Sequence, residues 1–502
     1  MRRIQVRHNV QAFRQRQKQK KQELQHVSSG GIPSQEHSEI STQTSSPRSV
    51  QSQTCDCSTI DTSKVEQNDL YGEPWTMQLP AKIDLGPAFR DAFIAALQYR
   101  SLPQNILPFS LQYDPNIRVS FGCSTWVSSV FARASSAGME ILNDALLASA
   151  LTIISKEKND HGMAMYGVHM HIMALHRLRR AFARLMSGKF AAGEGKVCPT
   201  MLAMGALACA MSELLANGSW DKFAAHLQGM GALIEYAGPA ALSTISSRDH
   251  FYGYRAVRAP FCFIYRQPTF LAKSEWINFP WKKQYAPASR PMHTLLDVAL
   301  QIPTEMENFD QDLQRNPINL RAQLHRLRNI ASQLDTWELD LEDSYDGHIY
   351  STRPAVWPGL HTESFDFCDS AVAPAFTFYT GVRVQLFNLI RAVSNELILH
   401  DNTAKIISDL AKTECLSWSR SACQCFEFFY SGNRKVMGKL MCLFPFDTAW
   451  ETFVRADKEG EEVARELNWC KTTAVRVAEM GLPVLRWRSD KPGCEDAEFF
   501  LS

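Results

Sequence analysis

Three histidines crowd one short stretch of the chain, His169, His171 and His176. Paired imidazoles bind zinc when a helix sets them four residues apart on one face. Here the spacing is wrong. Residues two apart point to different sides, residues seven apart lie about 10 Å along the axis, and His171 and His176 are offset by about 140°. Polar-face histidines are the expectation, and no metal site. The cysteines offer no better: Cys55 and Cys57 stand alone until Cys123, whereas a binuclear zinc cluster needs six thiolates to hold two metals tetrahedrally. Cys423 and Cys425 lie two apart on an expected helix and so point to different faces. His226 has the chemistry of a general base, but no G-x-S-x-G and no papain-like cysteine accompanies it. Gly229-Met230-Gly231 lacks the third glycine and the preceding strand of a dinucleotide loop, so close helix approach at small residues is the physical reading. These residues predict no catalytic group and no cofactor.

Charge offers a different chemistry. Within residues 1–26, Arg2, Arg3, Arg7, Arg14, Arg16, Lys18, Lys20 and Lys21 face the single acid Glu23. Such a run contacts phosphates, serves as a nuclear import signal, or stays a solvated tail. Its A-F-R-Q-R string resembles the core of some basic-zipper proteins, but no leucine heptad follows to fork basic helices across a groove. The whole chain is balanced, with 53 basic and 52 acidic residues, so any nucleic-acid signal is local.

The elements that must position these residues read as helices. At 502 residues and 45% hydrophobic, the chain can build a sizeable core. No run of 18 apolar residues marks a membrane span, and the N-terminus carries no secretory core. Thirteen scattered cysteines suit a reducing compartment. Residues 27–70, rich in Ser, Gln and Thr, cannot bury enough surface to offset their ordering entropy and are expected to be disordered. From residue 71 to 502 a helical domain is expected. A short helix fits Ala88–Arg100, and amphipathic spacing predicts helices over Val127–Phe131, Met139–Ile154, Met163–Met186, Met201–Leu215 and Trp220–Tyr236. More follow at Leu295–Leu300, Leu320–Leu341, Val372–Leu399, Ala404–Tyr430 and Asp447–Leu485. No sustained alternation marks a sheet. The expected fold class is all-α, a multi-helical array of antiparallel helix pairs behind a basic tail. The acidic patch Asp335–Asp346, interleaved with Trp337, Leu339 and Leu341, reads as an acidic-hydrophobic activation segment or as a solvated helix end.

One stretch carries a resemblance. Trp220-Asp-Lys-Phe-Ala-Ala-His226-Leu-Gln-Gly229 continues through Leu233 and Ile234 to Gly238-Pro239, and T-F-L…E-W…P-W follows with Trp276 and Trp281. This pairing resembles the middle region of the fungal-specific transcription factor family, whose members usually carry a six-cysteine zinc cluster. Helices from Leu146 to Leu215, Trp337-Glu338 and the G-K-L-M-C-L-F-P-F-D-T-A-W string around Trp450 extend it over about residues 135–486. The resemblance implies a nuclear transcriptional regulator, with a role beside biosynthetic gene clusters of secondary metabolism. It assigns Trp220, His226, Gly229, Gly238, Trp276 and Trp281 a packing role, with the three tryptophans buried near one another. The implied partners are DNA, weakly or indirectly; the transcription machinery or a zinc-cluster homologue; a small-molecule effector; or a second copy; no membrane is among them. A co-regulator that never touches DNA and a helical enzyme are the alternatives.

Overall fold

The computed structural model describes residues 92–94, 97, 139–187, 199–217, 220–242, 245–278, 290–312, 315–345, 348–357, 359–369, 371–430 and 439–479. The basic tail, the linker expected over 27–70, Val127–Phe131 and Trp281 lie outside these residues. Those that are described belong to one compact unit.

Its helices are α1 (Glu140–Lys158), α2 (His161–Ser187), α3 (Pro199–Asn217), α4 (Trp220–Ala237), α5 (Ile245–Tyr265), α6 (Ser274–Ile277) and α7 (Arg290–Ala299). They continue as α8 (Ile302–Gln311), α9 (Pro317–Asp343), α10 (Val372–Leu397), α11 (Asn402–Tyr430), α12 (Leu443–Lys458) and α13 (Ala464–Glu479). Single 3-10 turns stand at Pro239–Leu242 and Phe270–Ala272. Residues 92–94 and 97 are also helical. The all-α class holds, and neighbours pack as antiparallel pairs: α1 on α2, α3 on α4, α10 on α11.

Local chemistry sets the ends. Asn159, in the left-handed region at φ +52°, turns α1 into α2. Gly238 closes α4 at φ +74°, its N–H reaching Ile234 O at 3.1 Å, and Pro239 bars continuation. Asn316 caps α9 by accepting from the Ile318 N–H at 2.9 Å, with Pro317 in the first helical position. From there Leu320, Leu324, Leu327, Leu334, Trp337 and Leu341 form the buried stripe of α9. α10 is the hub: most of its length is buried, and it meets α7, α9, α11 and α12.

Three expectations need correction. A two-stranded hairpin, β1 (Tyr350–Pro354) against β2 (Glu363–Phe367), is paired antiparallel with Tyr350 opposite Phe367. Five residues are too few for alternation to stand out, although Phe365 and Phe367 are buried against Phe376. The run Asp447–Leu485 is two helices, α12 and α13, because Gly460 turns the chain at φ +83°. The stretch between the two halves of the signature, where no helix was expected, is α5, with Pro260 inside it. The acidic patch is the end of α9, with Asp340 and Asp343 exposed as expected of a solvated helix end, while other side chains of the patch reach neighbouring helices. Asp335 pairs with Arg383 of α10, Glu338 accepts from the Tyr379 hydroxyl at 2.7 Å, and the Trp337 indole donates to Thr294 Oγ1 at 3.0 Å. Burial holds the Glu338 carboxyl above its ordinary range.

One carboxylate ties the hairpin loop to α11. Glu427 of α11, 2% exposed, accepts from the N–H groups of Val356 at 2.9 Å and Trp357 at 2.6 Å. An amide there leaves one N–H facing a donor, so Glu427→Gln is expected to cost about 1–2 kcal/mol in a thermal melt.

His293 of α7 is fully buried, tilted against the Tyr252 ring with centroids 4.4 Å apart, and burial, with Arg255 adding, holds its imidazole well below the ordinary value. The folded state therefore keeps it neutral while an unfolded histidine titrates near pH 6.5. Its contribution is complete above about pH 6.5 and lost as the pH falls below that toward the folded pKa. Urea midpoints should drop between about pH 6.5 and 5, and His293→Asn should flatten that slope.

Candidate functional site

The signature segments converge. α4 packs on α5 and on the Pro239–Leu242 turn, and the Phe270–Ala272 turn lies against α6. Thr269 explains the T-F-L string: its hydroxyl accepts from the Leu271 N–H at 3.3 Å and so sets the turn that buries Leu271. Trp276, 2% exposed, stacks on Phe251 at 5.5 Å and meets Phe270 edge-on at 4.8 Å. Tyr254 stacks on Phe270 at 6.2 Å, and the backbone of Gly231 closes the knot against the Tyr254 ring. Trp276 thus has the expected packing role. Trp220 opens α4 but its side chain, like all of Trp281, lies outside the described residues. The close approach expected at Gly229-Met230-Gly231 is made at Gly231 alone. Gly229 faces open space, so its packing role is corrected.

His226 joins a polar cluster where α2, α3 and α4 meet. Glu213, the lone charged residue of α3, is buried 3.2 Å from His171 Nε2 and 3.5 Å from Lys222 Nζ. Burial lowers the His226 pKa, Glu213 opposes that shift, and His171 and Lys222 reinforce it. Alongside, Asp144 receives Arg177 at 2.6 Å, and burial pushes the Cys209 thiol up to about 12. Glu213 already has two cationic or donor partners, and His226 is kept neutral. The arrangement is an ion-paired and hydrogen-bonded cluster that ties three helices together. Among the described residues no group of three or more His, Cys, Asp or Glu is placed to hold a metal ion. Cys423 meets Cys470 of α13 while Cys425 meets Thr377 of α10, so the two do face different ways.

Sequence reasoning missed Glu213, though a lone acid inside the apolar run of α3 was a usable signal. It also missed a half-open cleft of about 700 Å³. One wall is α11, with Thr413, Ser417, Arg420 and Gln424; the others are Leu360 and His361 after β1 and the first turn of α13. Arg420 Nη2 lies 2.8 Å from Glu466, and Arg465 Nη2 donates to Gly359 O at 3.2 Å. Burial lowers the His361 pKa, with Glu427 opposing, and neither ring nitrogen has a hydrogen-bond partner among the described residues. This is where a small polar effector could be held. The basic tail residues Arg2, Arg3, Arg7, Arg14, Arg16, Lys18, Lys20 and Lys21 lie outside the described residues.

Fold and site together define an all-α protein of antiparallel helix pairs around an aromatic knot. No described helix is long and apolar enough to cross a membrane. Comparison with protein-family models, with curated proteins and with solved structures finds no match.

Proposed function

We propose that the chain is a fungal nuclear transcriptional regulator related to the zinc binuclear cluster type, without a six-cysteine cluster in this sequence. Its helical body is the regulatory domain, and genes of a secondary-metabolite cluster are its targets. The observation that carries this reading is the convergence of the signature segments. The α4 helix ends at Ala237, well before the Thr269–Leu271 turn and the nearby Trp276, yet all three meet at one aromatic knot. The cleft beside α11 is the place for an effector, and DNA is reached weakly through the basic tail or indirectly through a zinc-cluster homologue or the transcription machinery.

Deleting the gene in its host and sequencing transcripts tests this directly. A changed set of neighbouring biosynthetic transcripts supports it; an unchanged transcript profile under every growth condition that expresses the chain overturns it. The tail makes a sharper expectation. Residues 1–26 should carry a reporter into nuclei, and the purified chain should bind duplex DNA electrostatically. If roughly six of the eight positives engage phosphates, the log-log salt slope is about −5. Scrambling the DNA should change affinity little, because base readout needs side chains held rigidly against base edges. A preference above about a hundredfold for one short site, far beyond such electrostatic binding, would reveal a recognition element outside the tail. Promoter recruitment that survives deletion of 1–26 would favour the co-regulator reading, in which the chain reaches DNA only through a partner.

A further inference from the structure

α2 carries two apolar faces. The first, Gly167, Met170, Ala174 and Leu185, is buried where the helix packs on α1 and α3. The second runs through Met165, Val168, Ile172, Phe182 and Met186 in alternating steps of three and four, with Leu175, which packs on the core, and Arg179 filling the two remaining steps. At 100° per residue the two faces centre roughly 120° apart. One neighbouring layer needs one stripe; a second stripe in strict three-four alternation is a seam for another helix. Val168, Phe182 and Met186 are 48%, 43% and 63% exposed, so that seam is open.

Charge identifies what fits it. α2 contains no acidic residue in 27 positions. Arg177 is held by Asp144, but Arg179 and Arg180 are exposed and make no ion pair among the described residues. A second copy of α2 would set two helices without a single carboxylate against each other. Duplex DNA would use the arginines and leave Phe182 and Met186 in water. An acidic amphipathic helix uses both features, and the seam's methionines adapt to varied apolar anchors.

We propose that the outer face of α2 docks an acidic amphipathic helix of a partner protein. The partner's apolar residues fill the row from Val168 to Met186, and its carboxylates pair with Arg179 and Arg180. This surface does not depend on what the chain does at a promoter.

The test uses the full chain and a synthetic 21-residue helical peptide with leucines in three-four alternation and glutamates flanking them; a second peptide carries lysines instead. Binding is followed by fluorescence anisotropy. The glutamate peptide should bind and the lysine peptide should not. Phe182→Ser with Met186→Ser, and separately Arg179→Glu with Arg180→Glu, should each weaken binding at least about tenfold, or about 1.4 kcal/mol. All four side chains are exposed, so circular dichroism and the melting temperature should be unchanged. Ile406→Ser with Leu410→Ser, an equally exposed apolar pair on α11, should leave binding intact. Absence of binding at about 100 µM, well short of the micromolar range, overturns the proposal, as does binding that ignores the Phe182 and Met186 changes. Self-association in sedimentation that the α2 variants abolish would give the seam to a second copy. Anionic vesicles or duplex DNA displacing the glutamate peptide through Phe182 and Met186 would give it to a membrane or to nucleic acid; either result rejects the proposal.

Discussion

Asp297→Ala is expected to destabilise the helical body by about 3–5 kcal/mol. Arg255 of α5 is 1% exposed, and its Nη2 lies 2.6 Å from Asp297 Oδ1, itself on a 7% exposed residue of α7. The guanidinium also approaches the Phe251 ring, 5.8 Å from its centroid. Truncating the carboxylate leaves a cation in an apolar interior, and arginine cannot shed its proton to escape. Asp310→Ala sets the scale. Asp310 holds Arg266 through two contacts, Nε at 2.7 Å and Nη2 at 3.1 Å, where Asp297 makes one, but both side chains are about a third exposed, 33% and 36%. Water replaces that pair, so the loss there should stay within about 1 kcal/mol. Replacing both buried partners, with Arg255→Met and Asp297→Leu, removes the stranded charge and should recover most of the stability. Urea unfolding of the four proteins decides the matter. Equal midpoints for Asp297→Ala and Asp310→Ala would show that burial does not set the cost.

The same pair explains what could be read from the sequence and what could not. α9 was legible because its leucines recur at helical spacing behind an Asn-Pro start. α4 was legible because Gly-Pro marks its end, and that glycine has the positive φ the punctuation implies. α5 was hidden. Pro260 reads as a breaker, and His250 and Arg255 interrupt its apolar stripe although both are buried. A buried arginine, glutamate or histidine looks like surface until its partner is known. The partner of Arg255 is 42 residues away, and that of Glu427 about 70. Pattern reading is local, and these interactions are not. The candidate site divides in the same way. His226 could be singled out by its place in the signature, whereas Glu213, which governs its surroundings, and the cleft between α11 and α13 depend on helix packing. The acidic patch was half legible: charge alternating with apolar residues marks a solvated helix end, but not which carboxylates reach a neighbour. Arg383 and Tyr379 on α10 engage Asp335 and Glu338.

Gly231→Ala is expected to cost about 3 kcal/mol, while Gly229→Ala two positions earlier should add about 0.5–1 kcal/mol of stability. Both glycines lie in the interior of α4, so alanine brings each the same gain in helix propensity. They differ in what a methyl group meets. At Gly229 nothing lies within 4 Å, and the residue is exposed. At Gly231 the new carbon would collide with the Tyr254 hydroxyl, with the Tyr254 Cζ at 3.1 Å and Phe270 Cε1 at 3.6 Å. Tyr254 cannot step aside. Its ring is 2% exposed, stacked on Phe270, which in turn meets Trp276. The two helices must separate or the aromatic knot must repack, and either exposes the core of the signature module. Removing the hydroxyl with Tyr254→Phe should therefore rescue part of the Gly231→Ala loss, leaving only the tighter ring contact. A double-mutant cycle in urea measures this coupling, with at least about 1 kcal/mol expected in the relieving direction. Additive losses would mean that α4 and α5 do not meet at Gly231 as closely as the structure has them.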